Sequence, residues 1–243
     1  MNGQQRFQAR WLVYFLILCL TLVGNQLMAG EHTMNTIVIS EQAILNDNAA
    51  AVAEAIELGA DPNARWEHLV TPVEFAVGHL KYNVVKELLL RGADPNLKDA
   101  EGDSAVTLAV SAYRKAPELL DLVLSGGGNP NARLPDGNPV IIRFINDRDL
   151  KWIRRLKEAG ANIDDRDRSG QPLVINAGII EFWDVLWCLL ELGAKYDYSG
   201  EPWTLVDVFA SPEATPPDSP LWPYKVKVWH FLNDRGMKLP KLQ

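Results

Sequence analysis

A five-residue motif that returns about every 33 residues is the feature that most constrains the fold of this 243-residue chain. Gly59-Ala60-Asp61-Pro62-Asn63 recurs as Gly92-Ala93-Asp94-Pro95-Asn96, and weaker copies begin at Gly127, Gly160 and Gly193, with a remnant at Gly236. The glycines lie 33, 35, 33, 33 and 43 residues apart. A period of this length is typical of repeat proteins, in which each unit packs only against its neighbours.

An amphipathic segment precedes each of these glycines. Its apolar residues recur at i, i+3, i+4 and i+7, which predicts a helix that packs on one side, and the glycine is expected to end that helix in a left-handed conformation. A shorter helix is expected to begin at Thr71-Pro72, Ser104-Ala105, Pro139 and Pro172, where Ser or Thr would cap it and proline would fit its first turn. The longer helices are predicted within 51–58, 84–90, 118–124, 150–159, 183–192 and 226–233.

This unit of turn, short helix and long helix resembles the ankyrin repeat. Thr71-Pro72-Val73-Glu74-Phe75-Ala76 stands where that family carries T-P-L-H-x-A. The resemblance covers residues 37–239 and implies an all-α repeat solenoid of about six stacked repeats, with hairpin tips along one edge. The sequence departs from the family pattern at Glu74 and Thr107, which replace its capping histidine, and at Leu69, which replaces the turn glycine of one repeat.

The last repeat is interrupted by a proline-rich insertion at 211–223. Its five prolines argue against a helix there, so we expect an ordered excursion between the two last helices. Because loop closure depends weakly on length, a short Gly/Ser link in its place is expected to cost the fold little. The side chains expected to lie in the core or between repeats include Trp152, Trp183, Trp187, Cys188 and Trp229.

Residues 1–30 have the three parts of a secretory signal peptide. Two arginines come first, thirteen apolar residues follow at 11–23, and Ala29-Gly30 offers small residues for cleavage. Thirteen residues are few for a membrane helix, which needs about 20. The large residue near the cleavage site, Leu27 or Met28, keeps an uncleaved inner-membrane anchor open as an alternative. We expect export to the bacterial periplasm, in soluble form or anchored in the inner membrane and facing the periplasm.

Composition narrows the function classes. The formal charge of −7 argues against nucleic-acid binding, which needs a basic face, and is compatible with a basic or amphipathic protein partner.

Two cysteines exclude a disulfide framework, and the four histidines have no zinc-binding spacing. His79 and His230, the plausible general bases, lie about five repeats apart. A calcium-loop-like segment at 165–170 lacks its final glutamate. We therefore expect no catalysis, no metal and no cofactor.

The hairpin tips are the candidate partner-binding residues, since the family binds proteins along that edge. Trp66 is expected to be its centre, because a tryptophan at a hairpin tip has little core to enter and Trp and Arg are frequent interface hot spots. The candidate residues are Arg65, Trp66, Glu67, His68, Asp99, Glu101, Asp103, Asp136, Arg166, Arg168 and Trp203.

The sequence is compatible with three hypotheses about function. Similarity to exported bacterial ankyrin proteins implies an immunity protein, monomeric when free, that blocks a toxic effector such as a lipase or phospholipase delivered by a type VI secretion system. The alternative is a periplasmic scaffold that supports a housekeeping enzyme such as a peroxidase or catalase. A third hypothesis places a catalytic site in the proline-rich insertion.

Overall fold

Twelve α helices make up almost all the regular structure of the computed structural model, which describes residues 37–211 and 215–242. Apart from two isolated β-bridges, no strand occurs in those ranges. The helices form six consecutive pairs, which confirms the predicted all-α repeat architecture. The predicted signal sequence at 1–30 lies outside the described residues. The chain divides into two compact units, and the division falls between Asn129 and Pro130.

The first unit holds three helix pairs. In chain order its helices are α1 (Glu41–Leu45), α2 (Ala49–Glu57), α3 (Pro72–Gly78), α4 (Tyr82–Leu90), α5 (Ala105–Ala112) and α6 (Pro117–Ser125). The second unit also holds three pairs: α7 (Ile142–Asn146), α8 (Leu150–Glu158), α9 (Leu173–Ile179), α10 (Trp183–Glu191), α11 (Leu205–Ala210) and α12 (Trp222–Asn233). Each predicted long helix is present, and the motif glycine after it has positive φ as expected, for example 106° at Gly59.

Side-chain amides of the repeated motif join consecutive repeats within each unit. Asn63 Nδ2 donates to Gly92 O at 3.0 Å, and Asn63 Oδ1 accepts from Asp94 N at 2.7 Å. In the second unit, Asn131 makes the same two bonds, to Gly160 O and from Asn162 N. The last residue of each motif copy therefore holds the start of the next copy, and we call this set of bonds the amide ladder.

Capping boxes start the short helices α3 and α5, as the sequence predicts. The Thr71 hydroxyl accepts from Glu74 N, and Glu74 Oε2 accepts from Thr71 N. Ser104 and Thr107 form the same reciprocal pair at the start of α5. Both helices are almost wholly buried, so these caps also satisfy backbone groups that water cannot reach.

Two predicted helix starts in the second unit are wrong. Pro139 and Pro172 are each paired across a hairpin through an isolated β-bridge, to Arg133 and Arg166. Helix α7 consequently begins three residues after Pro139, and Pro172 is the residue that precedes α9. Proline fits a bridge at this position because its missing N–H removes no bond that a hairpin end requires.

Most of the expected core residues are buried. Trp152, Trp183 and Cys188 are at most 4% exposed. Trp187 and Trp229, however, remain partly exposed on α10 and α12. The indole N–H of Trp229 donates to Pro240 O at 2.8 Å, which ties the chain end back onto α12. Six long-helix segments were thus predicted correctly, and Trp187 packs between repeats, edge-on to Phe231 of α12.

The insertion at 211–223 differs from expectation at both ends of its described part. Helix α12 begins at Trp222, so Pro223 lies in a first helical turn, where its missing N–H costs nothing. Thr215 is only 4% exposed. Its Oγ1 accepts from the indole N–H of Trp183 at 2.6 Å and donates to Glu181 Oε2 at 2.8 Å. The insertion therefore supplies the hydrogen-bond partner of a fully buried tryptophan.

Replacing Thr215 is expected to destabilise the fold, contrary to the expectation that this segment is dispensable. Thr215→Val keeps the shape but removes the acceptor of the buried Trp183 N–H, at a cost of about 1–3 kcal/mol in the free energy of unfolding. Urea unfolding followed by circular dichroism measures this cost. Thr215→Ser, which keeps the hydroxyl, is the matched control. Equal stability of the two variants would contradict the role given to the hydroxyl.

Candidate functional site

The hairpins of both units share one backbone pattern, which shows the residues that are equivalent. In the first hairpin Trp66 N donates to Val70 O, and Leu69 N donates to Trp66 O at 3.0 Å. In the second, Asp99 N donates to Asp103 O, and Gly102 N donates to Asp99 O. Trp66 thus occupies the position of Asp99, and Leu69 the position of Gly102. Asp167 and Gly170 hold the same two positions in a hairpin of the second unit.

Asp99 stabilises its own hairpin. Its Oδ1 accepts from Glu101 N and from Asp103 N, both at 2.9 Å. The residue is only 6% exposed, so the expectation that it stands free at the tip is wrong. Asp167 makes the same turn, accepting from Ser169 N and Gln171 N. Burial raises the pKa of Asp167, but the hydrogen bonds from the Ser169 hydroxyl, these two amides and the Asn176 side chain outweigh it, so the pKa lies below its usual value. An aspartate with its side chain turned onto nearby amides is a common way to close such a turn.

Trp66 also has more packing than the sequence suggested. Its ring lies edge-on to the buried ring of Phe75, with the centroids 5.5 Å apart. Phe75 in turn contacts the His79 ring at 4.3 Å. Trp66 is therefore half-buried, and the expectation that it has no core to join is wrong. Part of the side chain remains exposed to solvent.

Leu69 is the residue that the sequence reasoning missed. It is 51% exposed, and its φ of 64° lies in the left-handed region, as does the φ of 57° at the preceding His68. Left-handed backbone costs a residue with a Cβ roughly 1–2 kcal/mol, and the equivalent positions Gly102 and Gly170 avoid this cost. The loss of the turn glycine was visible in the sequence, but nothing there showed that the hairpin would keep its shape.

Arginines predicted to bind a partner instead join neighbouring hairpins. Arg65 Nη1 donates to Leu69 O at 2.8 Å within its hairpin and to Lys98 O at 2.6 Å in the next one. In the second unit, Arg166 Nη1 donates to Gly170 O at 2.7 Å, and its Nη2 donates to Glu201 Oε1 at 2.6 Å. We call these the arginine staples. They fix the spacing of hairpin tips and leave less of each guanidinium for a partner.

The remaining predicted residues fall into two sets, one in each unit. In the first unit, Glu67, His68 and Glu101 are exposed, and His68 O accepts from Ala100 N at 2.9 Å, which brings the first two tips together. Asp103 is half-buried and accepts from the Thr107 hydroxyl. In the second unit the exposed predicted residues are Asp136, Arg168 and Trp203.

A buried pair of carboxyl groups lies beneath the first two tips. Glu74 is fully buried in α3, and among the described residues its Oε1 has no hydrogen-bond donor. Burial, followed by the negative charge and hydrogen bond of Asp99, raises the pKa of Glu74 to about 9. At neutral pH the carboxyl of Glu74 therefore carries a proton that it can donate to Asp99. Glu74 stands where the ankyrin family carries a histidine.

The pKa of Glu74 sets a pH dependence of stability. Because it is higher in the folded state, the group contributes fully to stability only below its unfolded value of 4.5. Between 4.5 and about 9 the free energy of unfolding falls, by at most about 1.4 kcal/mol per pH unit. Glu74→Gln can donate to Asp99 at any pH, so it should gain stability over the parent as pH rises from 5 to 9. Chemical denaturation at several pH values measures this difference.

Glu54→Gln, at an exposed position of α2, controls for the loss of one negative charge. Its stability relative to the parent should change little with pH. If Glu74→Gln gains no more than this control, the carboxyl pair does not share a proton.

Other kinds of site were sought in the part of the chain that the structure describes. No group of three or more His, Cys, Asp or Glu side chains there is placed to hold a metal ion. No described helix has both the length and the apolar run needed to cross a bilayer.

Known proteins with similar sequences share the repeat. The ankyrin repeat family model matches residues 69–100. SH3 and multiple ankyrin repeat domains protein 2 of Homo sapiens is 26% identical over 117 residues, which are 46% of this chain and 6% of that protein. Glycerophosphocholine phosphodiesterase gde1 of Schizosaccharomyces pombe is 34% identical over 89 residues, 36% of this chain and 8% of that protein. The chain therefore spans less than a tenth of the length of these relatives.

Solved structures with the same architecture cover more of the chain. The ankyrin repeat domain of Bcl-3, a member of the IkappaB protein family, superposes with a TM-score of 0.56 at 26% identity, over 69% of this chain and 77% of that one. The ankyrin repeat protein EF0377 gives a TM-score of 0.54 at 22% identity, over 70% and 88% of the two chains. Ankyrin repeats generally serve as non-catalytic scaffolds that bind other proteins. By its repeat geometry and these similarities, the chain has the fold of an ankyrin-repeat solenoid, and residues 69–100 match the repeat itself.

Proposed function

We propose that this chain is an exported bacterial immunity protein, which binds a toxic effector of the lipase or phospholipase class in the periplasm and blocks it. The ankyrin fold makes it a protein-interaction module. The tripartite pattern at residues 1–30 supports export, either with cleavage or as an inner-membrane anchor. The irregular hairpins support an interface shaped for one partner.

The first hairpin is the observation that carries this proposal. Its two turn-forming positions hold Trp66 and Leu69, whereas the second hairpin holds Asp99 and Gly102 there. The first hairpin therefore lacks a carboxylate like that of Asp99, which accepts hydrogen bonds from backbone amides of the hairpin tip. It also places Leu69, whose backbone is left-handed, at the surface. Both the left-handed backbone of Leu69 and the exposure of its apolar side chain are unfavourable for the free protein. Backbone strain of this kind is concentrated at functional sites.

The binding edge is accordingly centred on Leu69 and the exposed part of Trp66, with Glu67, His68 and Glu101 as its polar rim. An apolar centre with a charged rim is the usual composition of a protein interface. Arg65 and Asp99 contribute indirectly, because they hold the two hairpins in place. In this view a partner presents an apolar side chain to the leucine and cationic groups to the carboxylates around it.

Leu69→Gly separates binding from stability. Glycine accepts the left-handed backbone, so the free energy of unfolding should stay within about 1 kcal/mol of the parent or rise, while affinity for the effector should fall by roughly 2 kcal/mol or more. Calorimetric titration with a purified effector of the lipase class measures the affinity. Leu90→Ala, which removes a leucine that is 71% exposed on α4, is the matched control and should bind normally.

Growth protection tests the biological role with the same variants. Bacteria that receive the effector in the periplasm should survive with the parent chain and with Leu90→Ala, and should die with Leu69→Gly. They should also die when residues 1–30 are deleted, because the protein then stays in the cytoplasm. Normal protection by the deleted form would contradict export. If the parent gives no protection but raises the activity of a periplasmic redox enzyme, the scaffold alternative replaces this proposal.

A further inference from the structure

The segment that runs from α10 to α12 carries an unusual concentration of aromatic side chains. Five of the eight tryptophans of the chain lie in its final third, at Trp183, Trp187, Trp203, Trp222 and Trp229. Helix α12 packs against α10, and it is the last helix of the described residues. In repeat proteins the terminal unit usually presents a polar outer face.

Rings and cations alternate over one continuous surface of α10 and α12. Lys227 Nζ lies 5.8 Å from the ring centroid of Trp187 and 5.3 Å from that of Tyr224. The rings of Trp187 and Tyr196 meet Phe231 edge-on, with centroids 5.9 and 5.8 Å apart. We call this surface the aromatic–cationic face; its members are Trp187, Tyr196, Tyr224, Lys227, Phe231 and Arg235.

The guanidinium of Arg235 completes the face. Its Cζ lies 3.6 Å from the Phe231 ring centroid, and its Nη1 donates to Phe231 O at 3.0 Å. Lys227 and Arg235 are exposed, and the four rings are half-buried. Within the described residues neither cation is paired with a carboxylate. Both charges are thus held in place by rings while remaining open to a ligand.

A neighbouring cluster contains the same pairing of a lysine with aromatic rings, but there the lysine is buried. Lys225 Nζ lies 5.3 Å from the centroid of Trp183 and 5.5 Å from that of Trp222, and the lysine is only 4% exposed. That cation is enclosed by the two rings and is part of the buried core. The aromatic–cationic face has the same chemistry on the opposite side of α12, but solvent reaches it.

Charge distinguishes this segment from the rest of the chain. Residues 222–242 contain five Lys or Arg and one Asp, a net charge of +4, whereas the whole chain carries −7. The acidic composition of the chain favoured a basic partner, and this end favours the opposite. Guanidinium and ammonium groups form strong charge-assisted hydrogen bonds with carboxylates, and rings beside them bury apolar side chains.

We propose that the aromatic–cationic face docks an acidic protein segment, one that presents carboxylates to Lys227 and Arg235 and an apolar side chain to Trp187 and Phe231. This surface is additional to the hairpin edge given above for the effector. Exposed aromatic and apolar patches rimmed by charges are characteristic of protein contacts. Opposite charges would speed the encounter and make the affinity dependent on salt.

A fluorescein-labelled peptide of alternating Glu and Leu is the probe, titrated into the full chain and followed by fluorescence anisotropy. The parent should bind it saturably, and more weakly at higher salt. Lys227→Gln with Arg235→Gln should weaken binding by about tenfold or more. Lys151→Gln with Lys157→Gln removes two exposed lysines of α8 in the same unit, so it controls for net charge and should bind as the parent does.

Thermal unfolding serves as the folding check, because both replaced cations are exposed and the double variant should melt with the parent. Absence of peptide binding, or equal binding by both double variants, would overturn the proposal. Binding to phosphatidylglycerol vesicles without binding to the peptide would make this a lipid-binding face. A concentration-dependent dimer that is lost only in the Lys227 and Arg235 variant would make it a contact between copies of the chain. Each of these results refutes the docking of an acidic segment and leaves the effector proposal intact, since Leu69→Gly tests that separately.

Discussion

The side-chain amide that ends each repeated motif is the interaction on which the stack depends. A carboxamide can donate and accept at once, so Asn96 donates to Gly127 O and accepts from Asn129 N in the first unit, just as Asn131 joins Gly160 and Asn162 in the second. These bonds lie at the ends of helices, where backbone groups have no helical partner. The amide ladder explains why the motif returns in phase, since each copy satisfies polar groups of the next one.

One step of the ladder departs from this rule. Asp164 stands in place of the asparagine and accepts from Lys195 N at 2.7 Å, but a carboxylate has no hydrogen to donate. The repeats after Asp164 match the motif less well. There the proline-rich insertion supplies Thr215 as the hydrogen-bond partner of Trp183. Hydrogen bonds that do not recur along the chain thus replace the amide ladder in the last repeats, where the motif is least regular.

The sequence predicted the elements far better than the site. Period, helices and left-handed glycines follow from local rules, because a helix needs an apolar stripe and glycine readily takes the left-handed conformation that ends a helix. Burial of Asp99, the contact of Trp66 with Phe75 and the bonds of Arg65 to a neighbouring hairpin depend on residues about ten to thirty positions away. Spacing alone could not show them. Leu69 could have been identified as a candidate, since only its hairpin lost the turn glycine that its neighbours keep.

Hydrogen exchange at the Asn162 amide tests the amide ladder most directly. Asn131→Ala removes both bonds, whereas Asn131→Asp keeps the acceptor and reproduces the arrangement found naturally at Asp164. The account predicts that Asn162 N–H loses most of its protection in Asn131→Ala and keeps it in Asn131→Asp, with a stability loss on the order of 1 kcal/mol for each bond removed. Unchanged protection and stability in Asn131→Ala would show that helix packing alone holds the repeats together.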